Sequence, residues 1–245
     1  VSIEKLKVEV MPENIVIIGS NGAIGKGFVN FYKKQNPSNS VLSLSRNNKE
    51  AADEFFIDIE DEGTISDAAD LCSKKGPFDR IIVATGILHG ADFSPEKTLR
   101  NLNKENIMKV FSINTLGPAL IARYFIPLMK KESASILGFL SARVGSISDN
   151  QLGGWYSYRA SKAALNMIIK TLSIEVARNN KNAVIVGLHP GTVESNLSNP
   201  FQGNVPDGKL FSPEYSVTQM AEVINRLTPN DSGNCFAWDG QRIEF

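Results

Sequence analysis

Ile15-Val16-Ile17-Ile18 runs directly into Gly19-Ser20-Asn21-Gly22-Ala23-Ile24-Gly25, and Phe28, Val29, Phe31 and Tyr32 then recur at helical spacing. Four consecutive β-branched apolar residues read as a strand buried on both faces. Glycines let the backbone turn tightly, and the following period marks a helix. This strand–turn–helix unit restricts the chain to folds built from such units. The same alternation continues to the C-terminus. Strands are expected at Val41 to Ser45, Glu54 to Ile57, Arg80 to Ala84, Ser135 to Leu140, Ala183 to Leu188 and Cys235 to Trp238. Between them lie helical stretches at Asp61 to Lys75, Asn103 to Lys131 with a bend near Gly117-Pro118, Trp155 to Asn179, and Glu214 to Leu227. Repeated β–α units with apolar strands predict an α/β fold. The expected form is a single Rossmann-type, doubly wound parallel sheet with helices on both faces, over residues 11–245. Val1 to Val10 precede Met11-Pro12 and are read as an N-terminal extension or an edge segment.

Composition narrows the class. With 245 residues, 42% of them apolar and 21% charged, the chain has ordinary globular usage and not that of a disordered one. The 26 Lys and Arg balance 26 Asp and Glu, and no dominant basic run suggests nucleic acid. No apolar run approaches the ~20 residues of a membrane helix. Cys72 and Cys235 are too few for a disulfide framework and no signal peptide is visible, so a cytoplasmic protein is expected. His89 and His189 lack acidic or cysteine partners at ligand spacing, which argues against a metal site. His89 is read as a loop or packing residue.

Parallel sheets bind ligands beyond the carboxyl ends of their strands, and the candidate residues fall there. The glycine turn at Gly19, Ser20, Asn21, Gly22, Ile24 and Gly25 would let a pyrophosphate approach the first helix N-terminus. After the second strand stands Arg46, with no acid at that strand end. Arginine suits a ribose 2′-phosphate, so NADP(H) is expected over NAD(H). Asp58, after the third strand, could accept a hydrogen bond from the adenine amino group, with Ile59 beside it. Tyr158 and Lys162, four residues apart, share one face of a helix. A phenol is a poor acid–base catalyst near neutrality, and a neighbouring ammonium would lower its pKa.

Taken together, these motifs resemble the short-chain dehydrogenase/reductase family from about Ile15 onward. Gly19, Ala23 and Gly25 stand at the three positions of the family's glycine motif, with Gly22 alongside. Val83-Ala84-Thr85-Gly86 partly matches its Asn-Asn-Ala-Gly, and Asn114-Thr115-Leu116-Gly117 matches its Asn-x-x-Gly. Tyr158 and Lys162 fill Tyr-x-x-x-Lys, and Pro190-Gly191-Thr192-Val193 matches its Pro-Gly segment. Gly145-Ser146-Ile147, Gly154-Trp155-Tyr156 and Phe236-Ala237-Trp238-Asp239-Gly240 are most similar to C-factor and sniffer-type carbonyl reductases.

The resemblance implies hydride transfer between a nicotinamide and a carbonyl or alcohol substrate, with Tyr158 as general acid or base. It implies that Lys162 lowers the Tyr158 pKa and holds the nicotinamide ribose, while Asn114 anchors a water in the proton relay. Ala84, Thr85, Gly86, Pro190, Gly191 and Val193 would contact cofactor, and the loop from Ser195 to Ser212 would cover substrate. Apolar positions on the two long helices imply a homodimer or homotetramer. One departure stands out. The family serine, three residues before a glycine, falls on Ala142, and the nearest hydroxyl is Ser141. Adjacent strand residues face opposite sides, so Ser141 reaches a substrate only if the strand has turned. Ser146 and Ser148 are the fallback donors. The departure keeps open a nucleotide sensor with little turnover, and the substrate could also be a pteridine or acyl-thioester ketone.

Overall fold

The structure is a computed structural model, and it describes residues 11–47 and 52–245. The proposed N-terminal extension therefore lies outside the described residues. In chain order the elements open with β1 (Asn14–Ile18), α1 (Ala23–Gln35), β2 (Ser40–Ser45), β3 (Glu54–Phe56), α2 (Glu62–Ser73) and β4 (Arg80–Val83). They continue with α3 (Lys104–Phe111), α4 (Gly117–Phe125), β5 (Ser135–Leu140), α5 (Tyr156–Val176), β6 (Ala183–His189) and β7 (Thr192–Val193). The chain closes with β8 (Leu210–Phe211), α6 (Pro213–Arg226), β9 (Cys235–Ala237) and β10 (Arg242–Ile243).

Eight strands form one sheet in the order β10-β9-β6-β5-β4-β1-β2-β3, parallel except for β10. The chain winds outward from β1 to β3, returns to β4, and winds out the other way. The reversal leaves a crevice beyond the ends of β1 and β4, where such sheets take ligands. The central strand β1 serves two cores, which explains its unbroken apolar sequence. Val16 and Ile18 face α2, α4 and α5 through Ile65, Phe125 and Leu165, whereas Ile15 and Ile17 face α1 and α6 through Phe28 and Met220. Each such isoleucine, wholly removed from water, contributes about 1.5–3 kcal/mol.

Several expectations are refined. The long stretch from Asn103 to Lys131 is two helices joined by a π turn over Ser112–Leu116, so the break comes one turn before Pro118. The third, fourth and last strands each end one residue early, at Phe56, Val83 and Ala237. After β9 a turn at Gly240 brings back the antiparallel β10, too short to show a pattern. The stretch from Ser195 to Ser212 holds a 3-10 helix over Asn199–Asn204, and its end pairs as β8 with β7. No helix among the described residues is long and apolar enough to cross a membrane. Nor do they contain a group of three or more potential metal ligands.

Candidate active site

A cavity of about 380 Å³ opens at the switch point between β1 and β4. Gly19, Asn21 and Gly22 form its floor; Arg46 enters from the end of β2, and Asp58 and Ile59 from the end of β3. Ala84, Thr85 and Gly86 close it from β4. Gly19 has φ +84°, and a Cβ there would lie 2.8 Å from the Ala84 carbonyl oxygen, so only glycine fits. A Cβ on Gly25 would meet the Gly19 carbonyl oxygen, and its absence lets α1 start directly against the turn. Ser20 and Ile24 do not line the cavity: the Ser20 N–H donates to the Leu44 carbonyl, and Ile24 packs on the core facing α6. The Asn21 amide ties the turn to β2 by donating to Ser45 Oγ at 2.7 Å.

These residues fit a dinucleotide. Gly22 caps α1 without a side-chain hydrogen bond and the first turn carries no acid, so its N–H groups are open to an anion. The buried Thr85 Oγ1 has no partner among the described residues. Exposed Arg46 meets no carboxylate among them. Asp58 Oδ1 accepts the Glu60 N–H at 3.1 Å, which orients its carboxylate at the rim.

Next to Gly86 of the cavity wall stand the candidate catalytic side chains. A Cβ on Gly86 would lie 3.5 Å from both Asn114 Oδ1 and Lys162 Nζ, so the cavity wall and these side chains meet there. Asn114 sits in the π turn, a geometry that frees main-chain groups from helical bonding. Its Oδ1 accepts the Ile87 N–H at 2.8 Å, and its Nδ2 donates to the Ile87 carbonyl and to Ser161 Oγ. Lys162 Nζ donates to the Leu140 carbonyl at 2.8 Å and lies 5.8 Å from the Tyr158 ring centroid. Burial pulls the lysine down to about 8, partly opposed by the Cys235 thiol, and pushes the Tyr158 phenol up to about 12. At the phenol the direction is set by desolvation. The ammonium is spent on a carbonyl and sits near the ring.

Pro190, Gly191 and Val193 follow β6. The Pro190 carbonyl accepts Ser216 Oγ–H at 2.7 Å, Gly191 has φ +76°, and Val193 is buried. Ser141 is turned inward, and its hydroxyl donates to Asn166 Oδ1 of α5 at 2.6 Å. The reason is strand parity: Leu137 and Phe139 pack on the core beneath α5, and Ser141 continues that face. The fallback hydroxyls are also engaged. Ser146 Oγ accepts the Asp149 N–H and lies 3.2 Å from Ser148 Oγ, which donates to the Phe245 carbonyl.

Sequence reasoning assigned no site role to Trp155, whose ring lies 6.2 Å from that of Tyr158, to Phe201, which packs on Trp155, or to Glu96, which holds the Trp155 and Ser157 N–H groups. Their contacts join loops far apart in the chain; the only local sign was the Gly153-Gly154 pair before Trp155. His89 bridges two of these loops, with Nε2 3.0 Å from the Asn196 carbonyl and its ring 5.8 Å from that of Phe201.

Comparisons with known proteins identify the family. The sequence model of the short chain dehydrogenase family matches residues 13–205. The C-signal protein of Myxococcus xanthus is 31% identical over 178 residues, 73% of this chain and 98% of that protein. In fold, the chain is similar to an NADPH-bound carbonyl reductase from chicken fatty liver, with a TM-score of 0.83 at 24% identity, covering 97% of this chain and 96% of that one. Carbonyl reductase Sniffer of D. melanogaster follows with a TM-score of 0.79 at 20% identity, covering 96% and 100%. With its glycine turn, its Tyr158–Lys162 pair and this match over most of its length, the chain belongs to the short chain dehydrogenase family of oxidoreductases.

Proposed function

We propose that the protein is an NADP(H)-dependent reductase of carbonyl compounds, or in reverse a dehydrogenase of the corresponding alcohols, with Tyr158 as the proton donor and acceptor. The observation that carries this reading is the approach of Lys162 Nζ and Asn114 Oδ1 to Gly86, which joins a dinucleotide-shaped cavity to an acid–base group. When bound, the nicotinamide would supply the hydride to the carbonyl carbon. Tyr158, pushed up to about 12, keeps its proton at neutral pH and gives it to the carbonyl oxygen, which completes the alcohol. Lys162 holds the nicotinamide ribose, and Asn114 anchors the water that returns a proton to the tyrosine. Pro190 to Val193 line the nicotinamide.

Arg46, exposed and without a carboxylate partner among the described residues, supports recognition of the 2′-phosphate. The fold likeness to an NADPH-bound carbonyl reductase accords with that choice. Exposed Met108, Leu116, Met167 and Ile174 on and between α3 and α5 support a homodimer.

A second reading, a nucleotide sensor with little turnover, is favoured by Ala142 and by the inward Ser141 hydroxyl, which leave the substrate oxygen without the family serine. Titration of the purified protein with NADPH and NADH, followed by nicotinamide absorbance decay with ketones, aldehydes and quinones, separates the two. Tight NADPH binding with carbonyl turnover is expected. Tight binding without turnover across the panel would leave the sensor.

A further inference from the structure

Helix α5 carries Tyr158, yet its N-cap is Trp155, whose indole cannot accept the N–H groups of the first turn. Glu96, 61 residues away in sequence and 4% exposed, supplies the missing acceptor. Its carboxylate accepts the Ser157 N–H at 3.1 Å and the Ser157 hydroxyl, and its main-chain carbonyl accepts the Trp155 N–H. Gly153 and Gly154 have φ +63° and +64°, and Trp155 follows at +51°. Glycine adopts such angles freely; tryptophan does so only when its surroundings hold it there. Arg159 completes the hold by donating from Nε to the Gly153 and Gly154 carbonyls at 3.2 and 3.0 Å.

The strained backbone aims the indole. Its ring lies 6.2 Å from that of Tyr158 and 5.1 Å from that of Phe201, which reaches over from the segment between β7 and β8. Glu96 and Arg159 are spent on holding this corner, and Asp149 on the same loop pairs with Arg143 at 3.9 Å. On the loop that leads to Trp155, Ile147 and Leu152 are 77% and 91% exposed, apolar side chains left in water.

We propose that Trp155 determines specificity and Glu96 positions it, and that the substrate is an uncharged carbonyl compound whose flat ring lies against Trp155 and Phe201 beside the Tyr158 hydroxyl. This rests on the reductase reading above. Aromatic rings favour edge and offset contacts with a flat partner, and a puckered ring of equal carbon number matches the wall less well.

Acetophenone and cyclohexyl methyl ketone provide that pair of probes. Replacing Trp155 removes the wall, and glycine relieves the backbone at φ +51°. In the Trp155→Gly variant kcat/KM for acetophenone should fall about three- to tenfold more than for cyclohexyl methyl ketone, chiefly through KM, with NADPH binding unchanged. Glu96→Ala should shift the same ratio, and Glu96→Gln, which keeps an acceptor for the Ser157 N–H, should restore most of it. Turnover with a ratio that none of these variants moves would overturn the roles of Trp155 and Glu96 while leaving the reductase reading intact. A wild-type protein that binds NADPH and reduces neither ketone would overturn the reductase reading and this inference together.

Discussion

Along the crevice between β1 and β4 the groups offered to a ligand are largely main chain: the N–H groups at the start of α1 and the bare backbone at Gly19 and Gly86. On the Tyr158 side they are side chains from three loops packed in series, Trp155 before α5 on Tyr158, Phe201 after β7 on Trp155, and His89 after β4 on Phe201. The contrast follows from what each half must recognise. A pyrophosphate presents the same charge in every family member, and a helix N-terminus answers it with no side chain at all. A substrate differs from one enzyme to the next, and only side chains on loops can vary while the sheet stays in place. One half is held by steric necessity, as at Gly25, whose Cβ would strike the Gly19 carbonyl; the other is held by hydrogen bonds such as Ser157 to Glu96.

If the halves are separable, damage to one should spare the other. The largest effect is expected for Tyr158→Phe, which deletes the proton donor and keeps the ring. Turnover should fall about 10²–10⁴-fold while NADPH binding stays within a factor of about two, read by steady-state kinetics and nucleotide titration. A parallel loss of nucleotide affinity would mean that the halves are coupled through α5.

Next comes His189, which leads into the Pro190-Gly191 segment between the halves. Its buried Nδ1 has no partner among the described residues. Burial pulls its pKa down to about 4, the nearby Arg143 adds to this, and Asp239 opposes it. The folded protein therefore refuses a proton that the unfolded chain takes up near the ordinary value of 6.5. Between those values the unfolded state binds more protons, so stability should fall as pH drops from 6.5 toward 4, by at most about 3 kcal/mol from this group. Chemical denaturation across that range should show a shallower pH dependence for His189→Gln than for wild type. Equal slopes would sink the assignment.

Smallest in absolute terms is Arg46→Ala. Loss of a charge-assisted hydrogen bond should weaken NADPH by about 1.5–3 kcal/mol and leave NADH unchanged, with kcat at saturation preserved. Equal losses for both nucleotides would remove the 2′-phosphate role, and a change in kcat would blur the boundary between the halves.

The cofactor half was the more legible, because its requirements are local. A tight turn, a close approach and a helix start each act on consecutive residues, so Gly19, Gly22 and Gly25 announce themselves. Tyr158 and Lys162 were legible for a related reason, since a four-residue spacing places both on one helical face. The placement of Ser141 depended on where β5 stops alternating, and only the packing of Leu137 and Phe139 beneath α5 shows that its hydroxyl turns to Asn166.

By itself, then, the sequence determined the order of strands and helices, the glycine cradle and the acid–base pair, each written in short-range periodicity. The tertiary structure alone decided that Lys162 donates to the Leu140 carbonyl, that Glu96 holds Ser157 61 residues away, and that Trp155 and Phe201 pack together. The physical reason is range. Backbone turns and helical faces are settled among neighbours in the chain, whereas desolvation and contacts between loops exist only once the sheet has brought the ends of its strands to one edge.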